Sequence, residues 1–465
     1  MALQAQGLPL FVVDAGDLGW KSASIAPTLA GQQLEKFELQ LQAYALGGID
    51  GWTPGEGDLA LGHERLQAAV QRHGTPALAA NLRCEGEEIF PAGRVVERGG
   101  VRLGLVGLVE PTLLGAAGIG GCIAEPTLPA AKAAIDALGP VDAVVVLSHM
   151  SAAAEAELAP ALGRPVLFVN GHERKSTPQA AALGSGSVRL ASGSRGKELG
   201  FAEVHFQAGA SGFQAEAGAD DARKIERFTG RQQIARTKLD AAAPGSAEAT
   251  QAQKQVDFYQ AEIDAARKRL QAASTDQGPR HALSVQIVDL GKDVADHAAT
   301  LSLVESAKTR IAAADAQAGP TAPASLGDSA WKGSVWGGSA SCLSCHPTQH
   351  AQWASTPHAS AWTRLVQVNR QSDQACFSCH VTGAFAEGAP ATASAVPAEL
   401  HAVGCEACHG PGAAHSADPA AGAIVRDPPV EVCQQCHDGK MDEGRFDLQT
   451  YRPRVLHGPA AEPAP

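Results

Sequence analysis

The chain lacks the features that would place it in a membrane or on a nucleic acid. No apolar run among its 465 residues is long enough to cross a bilayer. No cluster of Lys and Arg interrupts an acidic balance of 37 basic against 49 acidic residues, which leaves a net charge of −12. Because this charge repels phosphate backbones, we expect no nucleic-acid partner, and we expect no transmembrane segment in this chain.

A chain of this length is too long for one hydrophobic core, so we expect several domains. Hydrophobic residues at 45% and charged residues at 18% are typical of globular proteins. The texture changes along the chain from alternating apolar runs and helical patterns to charged helices and then to a cysteine-rich end. The predicted segments are an α/β domain at 1–210, a helical hairpin at 211–280, a strand–helix segment with a linker at 281–328, and a mostly helical domain at 329–465.

The cysteines are concentrated in the last segment, where they form four units of the pattern C-x-x-C-H. The units are Cys342/Cys345/His346, Cys376/Cys379/His380, Cys405/Cys408/His409 and Cys433/Cys436/His437. Two thiols three positions apart on a helical turn can reach the two vinyl groups of one porphyrin, and the adjacent histidine can then bind the iron. The pattern therefore predicts four covalently attached haems c, with the four histidines as proximal ligands.

Other sites also use C-x-x-C pairs, namely zinc ribbons, thioredoxin-like redox sites and disulfides. A zinc ribbon uses two pairs for one metal ion and does not require a histidine after each pair. Since all four pairs are followed by histidine, haem attachment is favoured.

Low-spin electron carriers usually need a second axial ligand on the far face of each haem. His350 lies four residues after His346 on the same helix face, so it cannot reach the far side of its own haem. We expect His358, His415 and His457 to be the distal ligands, with His401 as the fourth candidate.

Two stretches resemble the cytochrome c554-type tetrahaem proteins over residues 338–457. They are Cys342-Leu-Ser-Cys345-His346-Pro347 with Trp353-Ala-Ser-Thr-Pro-His358-Ala359, and Cys405-Glu-Ala-Cys408-His409-Gly-Pro-Gly412 with His415. The resemblance implies that His358 and His415 bind haems other than those of their own motifs. It also implies closely spaced haems, one iron without a sixth protein ligand, and short helices and loops around the porphyrins.

The first two hundred residues alternate strand-like and helix-like patterns in the manner of an α/β domain. Predicted strands are Leu8–Val13, Ala77–Asn81, Val101–Val109, Ala143–Ser148 and Val166–Asn170; predicted helices are Ile25–Leu46, Gly62–His73 and Ala130–Leu138. Polar residues, among them Asp17, His149 and His172, follow the carboxyl ends of strands, where such sheets bind ligands.

Segments 14–17, 55–59, 80–82, 147–149 and 170–172 resemble the 5′-nucleotidase branch of the calcineurin-like metallophosphoesterases, over residues 5–210. That family implies an α/β sandwich with two metal ions that activate a water molecule. In this chain, no D-x-H motif precedes Asp17. Three positions of the family pattern hold different residues, namely Glu56, Gly57 and Arg174. Asp17, His149 and His172 remain, with Glu56 and Asp58 nearby. We therefore expect a degenerate domain that serves as a scaffold or docking module and leaves room for one divalent metal.

Two features leave alternatives open. Cys84 and Cys122 lie outside the haem motifs and either form a disulfide or remain buried thiols. The charged hairpin at 211–280 either contacts a partner or a second copy of the chain, or is a solvated spacer.

The function that these motifs favour is that of a multihaem c-type cytochrome, which passes electrons between redox partner proteins. The alternatives are a haem redox enzyme that acts on a small nitrogen, oxygen or sulfur species at a five-coordinate haem, and a metal-dependent phosphoesterase or nucleotidase. We assign no catalytic residue and expect no residual hydrolysis of phosphate esters. Haem c is attached outside the cytoplasm, so we expect a periplasmic or extracellular protein whose signal sequence is not present in residues 1–20.

Overall fold

The computed structural model describes most of the chain in two compact units. The described residues are 9–19, 25, 29–177, 179–215, 219–272, 279–291, 294–318, 335–386, 389–390, 392–420, 424–439 and 446–457. One unit comprises Met1–Ile25 and Gln40–His297, and the other comprises Ala26–Leu39 and Ala298–Pro465. Among the described residues, no helix is both long enough and apolar enough to cross a bilayer.

The strands found among the described residues all belong to the first unit. They are β1 (Val13–Asp14), β2 (Gly51–Trp52), β3 (Leu82–Cys84), β4 (Gly93–Arg98), β5 (Val101–Val109), β6 (Cys122–Ala124), β7 (Ala143–His149), β8 (Leu167–Asn170), β9 (Ala181–Gly184), β10 (Ser187–Ala191), β11 (Glu198–His205), β12 (Phe213–Ala215) and β13 (His281–Asp289). The main sheet has the order β4-β5-β7-β8-β10-β9. Its four inner strands are parallel, and its two edge strands are antiparallel to their neighbours.

The helices up to the end of the hairpin are α1 (Ala30–Gly47), α2 (His63–His73), α3 (Pro111–Leu114), α4 (Thr127–Ala137), α5 (Ala152–Ala161), α6 (Ala219–Ala241) and α7 (Ala247–Ala272). Helices α6 and α7 pack against each other, which confirms the predicted helical hairpin. The strand that follows the hairpin, β13, lies between β11 and β12 in a separate three-stranded sheet.

The alternation of side chains along the inner strands explains how the layers pack. Val106 and Leu108 of β5 face one side, where they pack with Ile135 of α4 and with α5. Leu105 faces the other side, where the core includes Leu283 of the three-stranded sheet. Because successive residues of a strand point to opposite faces, one apolar run forms two cores. The predicted α/β sandwich is confirmed.

Two predicted strands differ from the structure. At Ala77–Asn81, the backbone N–H of Ala79 donates to Pro91 and that of Ala80 to Gly107, so the segment is not paired along one neighbour. The strand there begins only at Leu82. At Leu8–Val13, the strand β1 begins at Val13, and residues 1–8 lie outside the described part of the chain.

Cys84 of β3 and Cys122 of β6 are directly opposite each other in an antiparallel pair and form a disulfide. Both residues are almost fully buried. The structure thus decides between the two alternatives left by the sequence.

Most helices of the second unit are short, and its described residues include no strand. Its helices are α8 (Ala298–Ala318), α9 (Pro347–Ala354), α10 (Ala361–Gln367), α11 (Gln374–Phe377), α12 (Cys405–His409), α13 (Ala413–Ala417), α14 (Val430–Gln434) and α15 (Leu448–Tyr451). The buried apolar cluster is small, with Phe377 and Leu400 among its six buried members. The expected domain of short helices and loops is confirmed.

Candidate haem and metal sites

Each C-x-x-C-H motif lies on a helical turn. In the first and fourth motifs, the backbone N–H of the histidine donates to the carbonyl of the first cysteine at 2.9 Å. The third motif coincides with α12, and the second runs from α11 into a 3₁₀ turn at Ser378–His380. A helical turn brings residues three apart to the same side, so both sulfurs of a motif can reach one ring.

Histidines from distant parts of the chain face three of the four motif histidines. The ring centroids are 6.5 Å apart for His346 and His415, 6.3 Å for His437 and His358, and 5.6 Å for His409 and His457. A metal ion held between two imidazole nitrogens at about 2 Å each places the ring centroids about 6 Å apart. The structure therefore brings the three favoured distal candidates to three different motif histidines, at spacings that suit an iron between them.

The chemical state of two distal candidates also fits iron binding. The Nδ1 atom of His415 is buried without a hydrogen-bond partner, a costly arrangement that a metal bond would relieve. Burial, together with the nearby His437, lowers the pKa of His358. This favours the neutral imidazole, which is the form that binds metals.

His380 of the second motif is oriented by a backbone carbonyl but is not paired with a second histidine among the described residues. Its Nδ1 donates to the carbonyl of Ala361 at 2.6 Å, as His409 Nδ1 does to Val425 at 2.7 Å. Such bonds orient an imidazole and leave Nε2 for a metal. Within the described ranges, no other histidine ring is paired with His380.

The fourth distal candidate, His401, lies in a different environment. Its ring stacks on Trp362 with 4.0 Å between the centroids, and its Nε2 donates to the carbonyl of Val396 at 3.0 Å. In the part of the chain that the structure describes, His401 is not brought to a motif histidine. The ring of His350, which was not expected to reach the far face of its own haem, contacts Trp353.

Thiols of different motifs lie close together. A hydrogen bond with Cys342 lowers the pKa of the Cys405 thiol to about 6, and one with Cys436 lowers the pKa of Cys379 to about 7. Attached haem would convert these thiols to thioethers, which do not titrate. The contacts between the thiols nevertheless show which motifs are neighbours. They indicate that the first motif neighbours the third and that the second neighbours the fourth.

A second cluster lies in the first unit, at the carboxyl ends of strands. Glu56, His149 and His172 present ligand atoms that all lie within 4.8 Å of one another. His149 Nε2 is 2.7 Å from Glu56 Oε2 and 3.7 Å from Asp17 Oδ2, and His172 Nδ1 is 3.7 Å from Glu56 Oε1. The structure thus brings together Asp17, His149 and His172, which the sequence selected, and it places the Glu56 carboxylate beside both histidines.

The backbone around this cluster is specialised. Asp17 adopts a left-handed conformation with φ of 57°, which is uncommon for a residue with a side chain. A Cβ atom at Gly55 would lie 2.3 Å from Asp17 Oδ1 and 2.6 Å from His149 Cε1. Only glycine therefore allows this loop to approach the two side chains so closely.

Charges in the cluster compensate one another. Although burial lowers the pKa of His149, the hydrogen bond with Glu56 and the charge of Asp17 raise it to about 9. At neutral pH, a protonated His149 pairs with the Glu56 carboxylate. A divalent cation would have to displace that proton.

Two neighbouring polar residues support the loops instead of facing the cluster. Asp58 is fully buried and accepts hydrogen bonds from the backbone N–H groups of Asp17, Gly19 and Gly55. Asn170 accepts from the backbone of His172 and donates to Met150. Both residues fix the positions of the ligand-bearing segments.

The helical C-x-x-C-H motifs and the paired histidines of the second unit are an arrangement that suits covalently attached haem. Residues 341–410 match the family model described as cytochrome c554 and c-prime. The predicted resemblance of this segment to the cytochrome c554 family is confirmed.

A curated relative, cytochrome c-554 of Nitrosomonas europaea, is 36% identical over 86 residues. The match covers 15% of this chain and 36% of that protein. The chain therefore spans only about a third of the relative's length.

Among solved structures, the chain is similar to the sulfate thiohydrolase SoxB of Thermus thermophilus in complex with glycerol. The identity is 24%, the TM-score is 0.38, and the match covers 45% of this chain and 38% of that one. A 5′-nucleotidase precursor, also from Thermus thermophilus, gives 21% identity, a TM-score of 0.37 and coverage of 44% of each chain. No functional conclusion follows from likenesses at these TM-scores.

Proposed function

We propose that the chain is a tetrahaem c-type cytochrome that transfers electrons between redox partner proteins. The observation that carries this proposal is the set of three histidine pairs, each joining a C-x-x-C-H histidine to a histidine from another segment at 5.6–6.5 Å. Haem attached to the paired thiols would supply a one-electron iron couple at each motif. The residues of the chain would fix the ring positions, supply the axial nitrogens and tune the potentials.

The contacts between thiols support an order for the haems. The first and third motifs meet through Cys342 and Cys405. Burial and the nearby Cys433 thiol raise the pKa of Cys408, which links the third motif to the fourth. The second and fourth motifs meet through Cys379. We infer that electrons pass through the sites in the order first, third, fourth, second.

The second motif would then hold the terminal haem, with His380 as its one histidine ligand. An iron held by His380 alone would keep one coordination position for a small molecule. This favours the second candidate function, a haem redox enzyme acting on a small nitrogen, oxygen or sulfur species. The electron carrier and the haem redox enzyme differ in whether a substrate is turned over at this iron.

A redox titration of the purified holoprotein, monitored by absorbance and EPR, tests the proposal. We expect three low-spin irons and one high-spin iron, with carbon monoxide or nitric oxide shifting only the high-spin signal. Four bis-histidine irons that ignore both gases would contradict the assignment of His380, and protein without haem would contradict the function.

A pair of variants tests the histidine pairing itself. His415→Ala should convert the iron beside His346 from low-spin to high-spin, so that two high-spin irons are seen. His350→Ala is the matched control, because His350 belongs to the same domain and contacts Trp353. The pairing is wrong if both variants keep the wild-type spectrum.

We also propose that the cluster of Asp17, Glu56, His149 and His172 binds one divalent cation without hydrolysing phosphate esters. Two imidazoles and two carboxylates suit Mn²⁺, Zn²⁺ or Fe²⁺. Equilibrium dialysis with Mn²⁺ or Zn²⁺ should give one ion per chain beyond the haem iron. Glu56→Gln should weaken that binding by about tenfold or more. The control is Glu173→Gln, at a carboxylate that accepts from the backbone N–H of Ala152 and is not part of the cluster, and it should not weaken binding. Equal metal content in both variants would argue against the site, and phosphate release from a nucleotide would contradict the absence of hydrolysis.

We propose the domain boundaries 1–210, 211–280, 281–328 and 329–465, with haem attachment confined to the last domain. We further propose that the protein is periplasmic or extracellular. The Cys84–Cys122 disulfide supports this location, because such bonds persist in oxidising compartments. Whether the hairpin contacts a partner is a separate proposal, which the size of the protein in solution would test.

A further inference from the structure

One buried carboxylate lies inside a haem-attachment motif. Glu406 occupies the position after Cys405 in the third motif and is only 3% exposed. A buried carboxylate is costly unless hydrogen-bond donors surround it. Hydrogen-bond donors are therefore expected around the Glu406 carboxylate.

Three backbone N–H groups donate to this carboxylate. Gly337 and Gly412 donate to Oε1 at 2.8 Å and 2.6 Å, and Gly338 donates to Oε2 at 2.8 Å. Bonds of this kind to a charged acceptor are stronger than those between neutral groups. Glu406 thus joins two segments that are separated by more than 70 residues in sequence.

The backbone of both segments leaves little room for a side chain at the donor glycines. A Cβ atom at Gly412 would lie 3.2 Å from Glu406 Oε1. Gly338 has a φ of +71°, and a Cβ atom there would lie 3.0 Å from the backbone oxygen and the Cβ of Glu399. Residues with side chains would therefore be strained at Gly338 and crowded at Gly412.

The two segments lead directly to the two sides of the first haem site. Gly338 immediately precedes the 3₁₀ turn Ser339–Cys342, which carries the first cysteine of that site. Gly412 immediately precedes α13, which carries His415. In addition, the hydroxyl of Ser339 accepts a hydrogen bond from the backbone N–H of Cys405. A single side chain of the third motif therefore holds both ends of the site between His346 and His415.

We propose that Glu406 is a positioning residue for the first haem site, and that its buried negative charge lowers the reduction potentials of the haems at the first and third motifs. A ferric haem carries one more positive charge than a ferrous haem, so a nearby carboxylate stabilises the oxidised state. In a dry interior this effect is larger than at the surface. The inference rests on the haem-binding function proposed above.

The test is a spectroelectrochemical titration of the holoprotein and of three variants. Glu406→Gln removes the charge and keeps the shape, and Glu406→Asp keeps the charge on a shorter side chain. The matched control is Glu431→Gln, which removes an exposed charge two residues before Cys433. Haem content and the low-spin EPR signals are measured on every sample, so that a loss of ligation is detected separately from a shift in potential.

We expect Glu406→Gln to favour reduction of at least one haem by about tenfold, which is about 59 mV for a one-electron couple. Glu406→Asp should lie closer to the wild type, and Glu431→Gln should change no haem by as much. The inference is overturned if fully loaded Glu406→Gln titrates like Glu431→Gln, or if Glu406→Asp shifts as far as Glu406→Gln. Colourless wild-type protein would instead refute the haem-binding function.

Discussion

The Cys84–Cys122 disulfide is expected to contribute a large share of the stability of the first unit. The bond closes a loop with a sequence separation of 38 residues. On the chain-entropy relation, a crosslink over a loop of this length stabilises the folded state by about 4 kcal/mol at 25 °C. The double variant Cys84→Ala/Cys122→Ala should therefore unfold at a markedly lower urea concentration than the wild type.

Urea unfolding followed by far-UV circular dichroism measures this difference. The reduced wild type is the matched control, since it keeps both side chains and loses only the covalent link. It should resemble the double variant. A thiol titration of the denatured, oxidised wild type should find neither of these cysteines free. The reasoning is refuted if the double variant and the oxidised wild type unfold within about 1 kcal/mol of each other, because the crosslink would then not restrict the unfolded chain.

Two further predictions concern buried charges. The pKa of His149 is raised to about 9, above its unfolded value of about 6.5. The stability that this shift provides to the metal-free protein is present below about pH 6.5 and is lost as the pH rises through about 9. The free energy of unfolding should therefore fall with pH across this window, and Glu56→Gln should make that slope smaller. An equal slope in both proteins would contradict the pairing. Arg189 lies 2.8 Å from the fully buried Glu155. Arg189→Met should therefore lower the free energy of unfolding by about 3–5 kcal/mol, whereas the double variant with Glu155→Gln should recover most of this loss. Equal losses for the single and double variants in urea unfolding would refute this.

Much of the main sheet could be predicted because its strands are long apolar runs. Val101–Val109 is a strand over the predicted range, and the predicted strand at Ala143–Ser148 differs from β7 by one residue. Both strands lie inside the sheet, where continuous hydrophobicity is typical of buried parallel strands. Ala77–Asn81 has a similar composition, but its backbone N–H groups bond to separate segments, that of Ala79 to Pro91 and that of Ala80 to Gly107 of β5. Composition alone does not reveal where hydrogen-bond partners lie.

The candidate haem site, too, could be predicted from the sequence only in part. The cysteines and motif histidines could be selected because attachment chemistry requires a local spacing. The pairing of His358 with His437 joins residues far apart in sequence, and only the fold shows it. His401 could not be distinguished by sequence, since the carbonyl and the Trp362 ring that bind it leave no local pattern. Glu406 was missed for a related reason, because its three donors come from segments outside its own motif.

The central claim is that every C-x-x-C-H motif carries a covalently bound haem, and one measurement tests it directly. Protein produced in a host that matures cytochromes c is denatured, and its haem is quantified as the pyridine haemochrome together with the mass of the intact chain. The account predicts four haems per chain that remain attached after denaturation and acid extraction, one for each motif. A colourless chain, a chain that holds zinc, or haem that is extracted by acid would contradict it.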